Sequence, residues 1–360
     1  MEKKVIKLGV VGLKRGGYVA GTVIGDDNVV IRAIADKDEK ARLECIKNYE
    51  EKGAKDFLVF DNYEDLLKSD IDAVFIGTDK PLHAKHAIMA LEAGKHVISE
   101  IPSIETIEEA KLLKAAVKAH PNLKYFAAEN CFYWSFIEAW KKMREDGKFG
   151  EVVYAESEYI HSTHPDNFKP YEPENHWRAS LHAITYLTHN LGPLLHILDD
   201  RCVSVSCMAA DAKYNPYRKD GFENQVAIFK TAKGAVIRIL IAFGTYAGFD
   251  HNFAIYGTRG SILTDKTEVL DDAHSFAKFY DSPDTFEKSF EIPIALSSNG
   301  VTEGHGGADR KMMREFIKCL INDEKPPIDI DMGIRISLPG IIAKESALRG
   351  GELMQIPEIN

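Results

Sequence analysis

The first third of the chain alternates short β-branched segments with longer amphipathic segments. The short segments predict strands at Ile6–Val11, Val29–Ala35, Ala73–Ile76, Val97–Ser99 and Tyr125–Ala128. The longer segments predict helices at Gly17–Ile24, Glu39–Glu51, Tyr63–Lys68, Leu82–Ala93 and Ile107–Ala119. Strands and helices that alternate in this way form a parallel sheet with helices on both of its faces. The pattern therefore predicts an α/β domain of the Rossmann type, with a doubly wound parallel sheet.

The pattern changes after about residue 150, where strand segments follow one another through turns. Strands are predicted at Glu151–Ile160, Val203–Ala210, Asn224–Thr231, Ala235–Phe243 and Asn252–Tyr256, and helices at Ala308–Asn322 and Met332–Leu348. This succession indicates an α+β domain with a large, mostly antiparallel sheet. Because 360 residues exceed what one core usually supports, we predict a Rossmann domain over 1–125 and a second domain over 126–360. The C-terminal helix near 332–348 is able to pack back on the first domain.

Composition excludes several classes of protein. The 45 Lys and Arg residues against 55 Asp and Glu residues give a net charge of −10, and nucleic-acid binding instead requires clustered basic residues. The five cysteines are scattered without a CxxC pair, unlike a disulfide framework or a zinc site. Histidines at 161, 164, 182 and 189 lack the HExxH pattern of a metal site, so no metal is predicted. No cleavage signal and no membrane-length apolar run is seen, which predicts a cytoplasmic protein without membrane partners.

The first predicted strand ends in a glycine-rich turn, GVVGLKRGGYVAG. Glycines between a first strand and a first helix allow a tight turn and let backbone N–H groups approach a pyrophosphate. We therefore predict dinucleotide contacts at Gly12, Leu13, Lys14, Arg15 and Gly16. Lys14 stands where the usual motif has its middle glycine, so either the phosphates lie further out or Gly16 and Gly17 make the close approach. A glycine turn that binds nothing is the alternative interpretation.

Asp36 ends the second predicted strand. A carboxylate at this position accepts hydrogen bonds from the adenosine ribose hydroxyls. It also repels a 2′-phosphate, so the sequence predicts NAD rather than NADP as the cofactor.

Longer stretches resemble a known family. TDKPLHAKHAIMALEAGKHVISEIP, GEVVYAESEYIH, GTRGSI and GHGGADRKMMREFIKCL are similar to the Gfo/Idh/MocA oxidoreductases over essentially the whole chain. The resemblance implies a Rossmann domain and an open antiparallel-sheet domain, with NAD(P) and a sugar or cyclitol substrate meeting between them. Ordinary dehydrogenases of this family carry E-K-P, whose lysine handles the carbinol proton. Here the sequence is Glu100-Ile101-Pro102, and isoleucine transfers no proton.

Other stretches resemble one branch of that family, the NAD-dependent α-N-acetylgalactosaminidases. They are AAENCFY, FGEVVYAESEYIH, NHWR, ITYLTHNLGP and EGHGGAD. The branch's signature Y-P-T-H-x-x-G-P stands here at 186–193, with Leu187 in place of the first proline. The resemblance implies NAD contacts at Asp36, His83, Glu100, Ile101 and Asn130. It implies substrate contacts at Tyr159, Arg178, Tyr186 and His189.

Arg178, His182, Tyr186 and His189 recur at spacings of four, four and three. If the segment is helical, these residues share one face. A phenol, a guanidinium and imidazoles suit a cleft that holds hydroxyl groups and moves protons. We predict Tyr186 and His189 as catalytic residues, with Tyr159, Arg178 and His305 binding substrate. For His305, which precedes a long predicted helix, a helix-capping or interface role is the open alternative. For His182 and His196 we favour structural roles, and Gly192-Pro193 is expected to kink or end the helix.

Three functions remain open at this point. A redox glycosidase would retain its NAD while it oxidises C3, eliminates the C1 substituent, adds water and reduces C3 again. A plain sugar or cyclitol dehydrogenase would exchange the cofactor at each turnover. A regulatory homologue would bind NAD and sugar without catalysis, and the replaced lysine agrees with that reading. By analogy with open sheets that pair face to face, a homo-oligomer is also predicted.

Overall fold

The computed structural model describes residues 4–162, 177–211, 220–246, 250–264, 276–281, 289–293 and 303–359. The chain divides into two compact units. Unit 1 comprises Met1–Glu129, Asp309–Ile334 and Ile359–Asn360, and unit 2 comprises Asn130–Ala308 and Arg335–Glu358. The domain bounds of 1–125 and 126–360 stay a prediction.

Unit 1 is built on a six-stranded parallel sheet. Its strands are β1 (Ile6–Val11), β2 (Val29–Ala35), β3 (Leu58–Phe60), β4 (Ala73–Ile76), β5 (His96–Ser99) and β6 (Tyr125–Ala127). The helices between them are α1 (Arg15–Ala20), α2 (Glu39–Glu51), α3 (Tyr63–Lys68), α4 (His83–Glu92) and α5 (Ile107–Ala119). The strand order β3-β2-β1-β4-β5-β6 confirms the predicted doubly wound sheet. Since the order reverses between β1 and β4, the carboxyl ends of these two strands form the crevice where such sheets bind ligands.

The central strands of unit 1 are apolar on both faces because helices cover both sides. All four residues of β4 are buried, and five of the six in β1. Local signals place the helices: Thr106 and Glu109 form a capping box at the start of α5. A further helix, α9 (Ala308–Asn322), also contributes to this unit, since its Phe316 ring lies 5.8 Å from that of Phe126.

Unit 2 contains a nine-stranded sheet that is mostly antiparallel, as predicted. Its strands are β7 (Val152–Ile160), β8 (Cys202–Ala209), β9 (Asn224–Thr231), β10 (Val236–Ala242), β11 (Asp250–Gly257), β12 (Ser261–Thr264), β13 (Phe276–Tyr280), β14 (Phe290–Pro293) and β15 (Met354–Gln355). They lie in the order β14-β13-β12-β11-β7-β10-β9-β8-β15. Only the central pair β7 and β10 is parallel among the strand pairs of this sheet in the described residues.

The remaining helices are α6 (Ser135–Glu145), α7 (Thr188–Leu198), the short α8 (Glu303–Gly306) and α10 (Ile330–Leu348). Both α7 and α10 contain a proline, at 193 and 339. Gly192-Pro193 is expected to kink or end its helix; it does not end the helix, since α7 continues to Leu198, and the kink stays a prediction. Helix α7 ends before Asp199, which adopts a left-handed conformation with φ of 50°.

The helical face predicted from Arg178 to His189 does not exist as one helix. The segment instead forms two 3₁₀ turns, Trp177–Ser180 and Ala183–Tyr186, before α7 begins. The interruption has a cause: the amide of Ala183 donates to the carbonyl of Phe222 at 2.8 Å. The Leu181 carbonyl lies so near Gly221 that a Cβ there would be 2.0 Å from its oxygen. Hydrogen bonding to Phe222, with Gly221 packed close to the Leu181 carbonyl, therefore replaces helical bonding here.

In the part of the chain that the structure describes, no helix combines the length and apolar character needed to cross a bilayer.

Candidate functional site

The glycine turn after β1 lies at the crevice of unit 1. Gly12 has φ of 80°, and a Cβ added to it would lie 2.4 Å from the carbonyl carbon of Gly77. A Cβ on Gly16 would lie 3.1 Å from the Cα of Gly77. These two glycines therefore allow the ends of β1 and β4 to approach closely. Lys14 extends into solvent with its Nζ 3.5 Å from the carboxylate of Asp38, so its side chain points away from the turn.

Asp36 follows β2 and holds this turn. One of its carboxylate oxygens accepts from the amide of Leu13 at 2.8 Å, and the other from the amide of Asp38 at 3.0 Å. Each oxygen keeps a further lone pair for another donor. The close glycine turn and this carboxylate fit a dinucleotide, with backbone N–H groups for the pyrophosphate and Asp36 for the ribose.

The Arg15 side chain pairs with two carboxylates of unit 1, and its predicted contact with the dinucleotide stays a prediction. Its guanidinium donates to both carboxylate oxygens of the buried Asp309, at 2.9 and 2.8 Å. Its Nε donates to Glu100 at 3.1 Å. Burial alone would lower the pKa of Arg15, but the two carboxylates raise it above its ordinary value. Arg15 and Glu100 are thus joined in one ion cluster at the sheet edge.

The other predicted cofactor residues differ in what they can offer. His83 is buried, and its ring nitrogens lie 3.0 Å from the carbonyl of Pro102 and 2.9 Å from that of Thr78. These contacts fit a structural role, and a direct contact of His83 with NAD stays a prediction. Ile101 is half-buried beside Glu100 and offers only an apolar surface. Asn130 is buried at the start of unit 2, where the Cys131 thiol donates to its side-chain oxygen at 3.4 Å.

In unit 2, Tyr159 and His251 form the base of a second group of polar side chains. They are direct partners in the β7–β11 pairing, and their rings stack at 4.2 Å with an angle of 15°. Both are buried. The Phe243 ring packs edge-on against Tyr159 at 5.6 Å, and His161 does so at 5.7 Å. The pairing of β7 with β11 thus brings Tyr159 and His251 together, and with His161 and Phe243 they form one group of packed rings, called the aromatic floor below.

Arg178, Tyr186 and His189 lie beside this floor although no single helix carries them. The guanidinium of Arg178 donates to the hydroxyl of Tyr186 at 2.8 Å. The His189 ring lies 6.3 Å from that of Tyr186 and 5.8 Å from that of Tyr159. Its Nδ1 is 3.4 Å from the Cys131 sulfur. A phenol, an imidazole and a cation are therefore brought together, and all three are half-buried rather than fully covered.

Two histidines of this cluster, His161 and His251, have lowered pKa values. Burial lowers the pKa of His251 well below its ordinary value, and the nearby His189, His305 and His161 lower it further. Burial also lowers the pKa of His161. Because a charged imidazole disfavours protonation of its neighbours, we expect at most one histidine of this cluster to be protonated at a time.

His305 lies in a strained turn of the GHGG segment. It adopts φ of 53°, in the left-handed region, and its side chain is exposed. Its carbonyl accepts from the indole N–H of Trp134 at 3.1 Å. Trp134 in turn packs edge-on against His251 at 5.1 Å. The turn is thus anchored to the same aromatic group, and a substrate contact by the His305 side chain stays a prediction.

The structure joins four of the predicted substrate and catalytic residues and adds others. Tyr159, Arg178, Tyr186 and His189 form connected contacts, whereas His182 accepts from the Phe222 amide at 3.5 Å. His196 stacks on Phe132 at 4.5 Å, and burial lowers its pKa to about 4; both histidines have packing roles, as favoured above. His251, Phe243 and Trp134 also belong to the group around Tyr159, although none of them was predicted from the sequence. The period-2 pattern of β11 was the available signal for His251. His164 lies outside the described residues.

Comparison with known proteins decides the family. Residues 6–127 match the oxidoreductase family with an NAD-binding Rossmann fold, and residues 141–354 match the C-terminal alpha/beta domain of that family. The chain belongs to the Gfo/Idh/MocA oxidoreductase family. These matches confirm the predicted family and, with it, an NAD-binding enzyme fold.

Relatives of two kinds cover nearly the whole chain. A glycosyl hydrolase family 109 protein of Solibacter usitatus is 26% identical over 98% of this chain and 88% of its own length. The alpha-N-acetylgalactosaminidase of Shewanella oneidensis is 24% identical over 99% of this chain and 85% of its own length. The solved structure of levoglucosan dehydrogenase with NADH and levoglucosan has a TM-score of 0.83 at 20% identity, over 99% of this chain and 100% of that one. Scyllo-inositol dehydrogenase from Lactobacillus casei with NAD(H) and scyllo-inositol gives 0.80 at 21%, over 98% and 99%. The two structures show that the fold is shared.

Asp36→Ala is expected to weaken NAD binding by about 1–3 kcal/mol, the contribution of a charge-assisted hydrogen-bond partner. Titration calorimetry with NAD and NADP measures this directly. The unmutated protein should prefer NAD, because the Asp36 carboxylate would repel a 2′-phosphate. Asp38→Ala removes a neighbouring carboxylate that caps α2 and should keep that preference. Equal or tighter NADP binding to the unmutated protein would contradict the role given to Asp36.

Proposed function

We propose that this protein is an NAD-dependent glycosidase that cleaves a sugar glycoside through transient oxidation at C3. The observation that carries the proposal is the hydrogen bond from Arg178 to the Tyr186 hydroxyl at 2.8 Å, beside His189. This contact allows the Tyr186 phenol to act as a proton acceptor. Such a group is needed because isoleucine stands at position 101 instead of the lysine of ordinary family dehydrogenases. The names of the family 109 and alpha-N-acetylgalactosaminidase relatives support the same assignment.

When bound, NAD supplies a reversible two-electron oxidation of the sugar at C3. Unit 1 serves this step through its glycine turn and Asp36. The isoleucine at 101 places an apolar side chain where a lysine amine would otherwise take the carbinol proton. The protons of the reaction are therefore assigned to side chains of unit 2.

Tyr186 accepts the proton of the C3 hydroxyl. A free phenol is a weak base for this purpose, since its pKa of about 10 keeps it protonated near neutrality. A guanidinium that donates to the phenol oxygen favours the phenolate by electrostatic attraction. Arg178 has that geometry, and its guanidinium also lies 4.4 Å from the centre of the Trp177 ring, which restrains it.

His189 removes the proton at C2. The C3 ketone acidifies that position, and a neutral imidazole is a suitable base because its ordinary pKa of about 6.5 lies near neutral pH. Loss of the C2 proton expels the C1 substituent, which leaves with a proton. Water then adds across C1 and C2, and C3 is reduced again. The net reaction is hydrolysis of the glycoside, with the cofactor returned to its starting state.

The stacked rings of Tyr159 and His251 form a buried base for the sugar site, and the Tyr159 hydroxyl is assigned a contact with a sugar hydroxyl. Burial lowers the pKa of His251, which favours the neutral imidazole at this buried position. His305 is assigned a contact with the same sugar.

Purified protein and a set of nitrophenyl glycosides test this function. The proposal expects NAD in the cofactor released on denaturation, identified by its mass and absorbance, and nitrophenol release without added cofactor. A plain dehydrogenase would instead require added NAD and form one NADH per sugar oxidised. Bound NAD with neither product would indicate a non-catalytic binding protein.

We also propose a cytoplasmic homo-oligomer. All five cysteines are buried thiols outside any disulfide, as suits a reducing compartment. One face of the unit 2 sheet exposes Ile228 and Met208 beside the half-buried Val226 and Leu240, and apolar surface of this kind favours association. Cell fractionation tests the compartment. Light scattering tests the oligomer, and a monomer at all concentrations would exclude it.

A further inference from the structure

The side chain of Arg15 is committed to protein carboxylates. Three of its N–H groups donate, two to Asp309 and one to Glu100. The pairing with Asp309 is a two-pronged fork, the strongest geometry available to a guanidinium and a carboxylate. Asp309 is fully buried in the first turn of α9, and Glu100 follows β5. Arg15 therefore connects the glycine turn to two other segments of unit 1.

The charge of this cluster argues against a direct role in attracting phosphate. One guanidinium faces two carboxylates, so the three groups together carry a net charge of −1. A pyrophosphate is itself an anion and gains little from such a cluster. Its attraction is left to the backbone N–H groups of the turn, which glycines make accessible.

We propose that Arg15 is a positioning residue for NAD, which holds the glycine turn in its binding form through Asp309 and Glu100 before the cofactor arrives. The proposal rests on NAD binding, which is part of the proposed function. A loop that is already ordered binds its ligand more tightly, because no conformational entropy is lost in ordering it on binding. Asp309, which no sequence pattern assigned to the cofactor, becomes part of the NAD-binding apparatus through this contact.

Calorimetric NAD titrations of Asp309→Asn, Arg15→Lys and the double variant test the proposal. Asp309→Asn removes the charge that accepts the fork, and Arg15→Lys keeps the cation but loses the fork. Each single variant is expected to bind NAD about tenfold or more weakly, because each frees the turn. The double variant should lose no more NAD affinity than whichever single variant binds NAD less tightly, since both changes break the same Arg15–Asp309 contact.

A direct phosphate contact by Arg15 predicts the opposite pattern. Asp309→Asn would then bind NAD as well as or better than the unmutated protein, because the cation would be released toward the ligand. Arg15→Lys would retain most of the affinity. Either result overturns the proposal, and so do losses that simply add in the double variant.

Asp26→Asn serves as the matched control. Asp26 accepts two bonds from Arg314 of α9, at 2.7 and 2.8 Å, so its loss also breaks a forked ion pair of this helix. NAD affinity should stay unchanged in that variant. Thermal melts without NAD check that all variants are folded. If Asp309→Asn does not fold, the comparison of Arg15→Lys with Asp26→Asn decides the matter. Absence of NAD binding by the unmutated protein would refute the proposed function, whereas equal binding by all variants would refute only the role of Arg15.

Discussion

Tyr186→Phe and His189→Gln are each expected to lower kcat for glycoside turnover by about 10²–10⁴-fold, the usual contribution of a positioned acid or base. Tyr186→Phe keeps the ring against Phe243 and removes only the hydroxyl that Arg178 contacts. KM should change much less than kcat, because both groups act on protons in the transition state rather than on the bound sugar. Steady-state kinetics with a nitrophenyl glycoside gives both parameters.

The chain offers a matched control for each of these variants. Tyr154→Phe also removes a hydrogen-bonded hydroxyl in unit 2, one that donates to Glu156 at 2.8 Å. His196→Gln changes a second histidine of α7, seven residues along. Both controls should keep kcat within about threefold, since neither side chain is given a role in proton transfer. Full activity in the double variant Tyr186→Phe/His189→Ala would refute the catalytic assignment.

Gly12→Ala is expected to lower the stability of unit 1 by about 2–5 kcal/mol and to abolish NAD binding. The left-handed φ of 80° costs a residue with a side chain about 1–2 kcal/mol. The new Cβ would also overlap the Gly77 carbonyl, and such overpacking typically costs about 1–3 kcal/mol more. A loss of that size lowers Tm by roughly 4–20 °C for a domain of 150–250 residues, the size range of unit 1. Thermal melts followed by circular dichroism measure it, together with NAD titration.

Gly25→Ala separates the two contributions. Gly25 has φ of 90°, but nothing lies within 4 Å of a Cβ added there. It should therefore show the conformational cost alone, about 1–2 kcal/mol, with NAD affinity retained. Equal melting temperatures and equal NAD affinities for the two variants would contradict the close approach of the turn to β4.

The parallel sheet of unit 1 was readable from sequence because its strands are short runs buried on both faces. The predicted bounds of β1, β2 and β4 agree with the structure. The edge strand β3 was missed, since it has three residues and both Leu58 and Val59 are more than 40% exposed. Helix α6 was also missed; its N-cap is Trp134, without a side-chain cap to mark the start.

The candidate site was readable only where its residues lie near one another along the chain. Tyr186 and His189 were predicted from spacing and resemblance, although the continuous helix assumed for them is broken at Ala183. His251 meets Tyr159 through the pairing of β7 with β11, and more than 90 residues separate the two in sequence. Asp309 contacts Arg15 although 294 positions separate them along the chain. Contacts of this kind depend on strand register and topology, which no local pattern reveals.

Transient oxidation at C3 is the central claim, and exchange at C2 tests it most directly. A glycoside substrate would be turned over in deuterated water, with NMR of the released sugar and absorbance at the NADH band. The account predicts deuterium at C2 of every released sugar and no accumulation of NADH. Sugar released with its original hydrogen at C2 would contradict it.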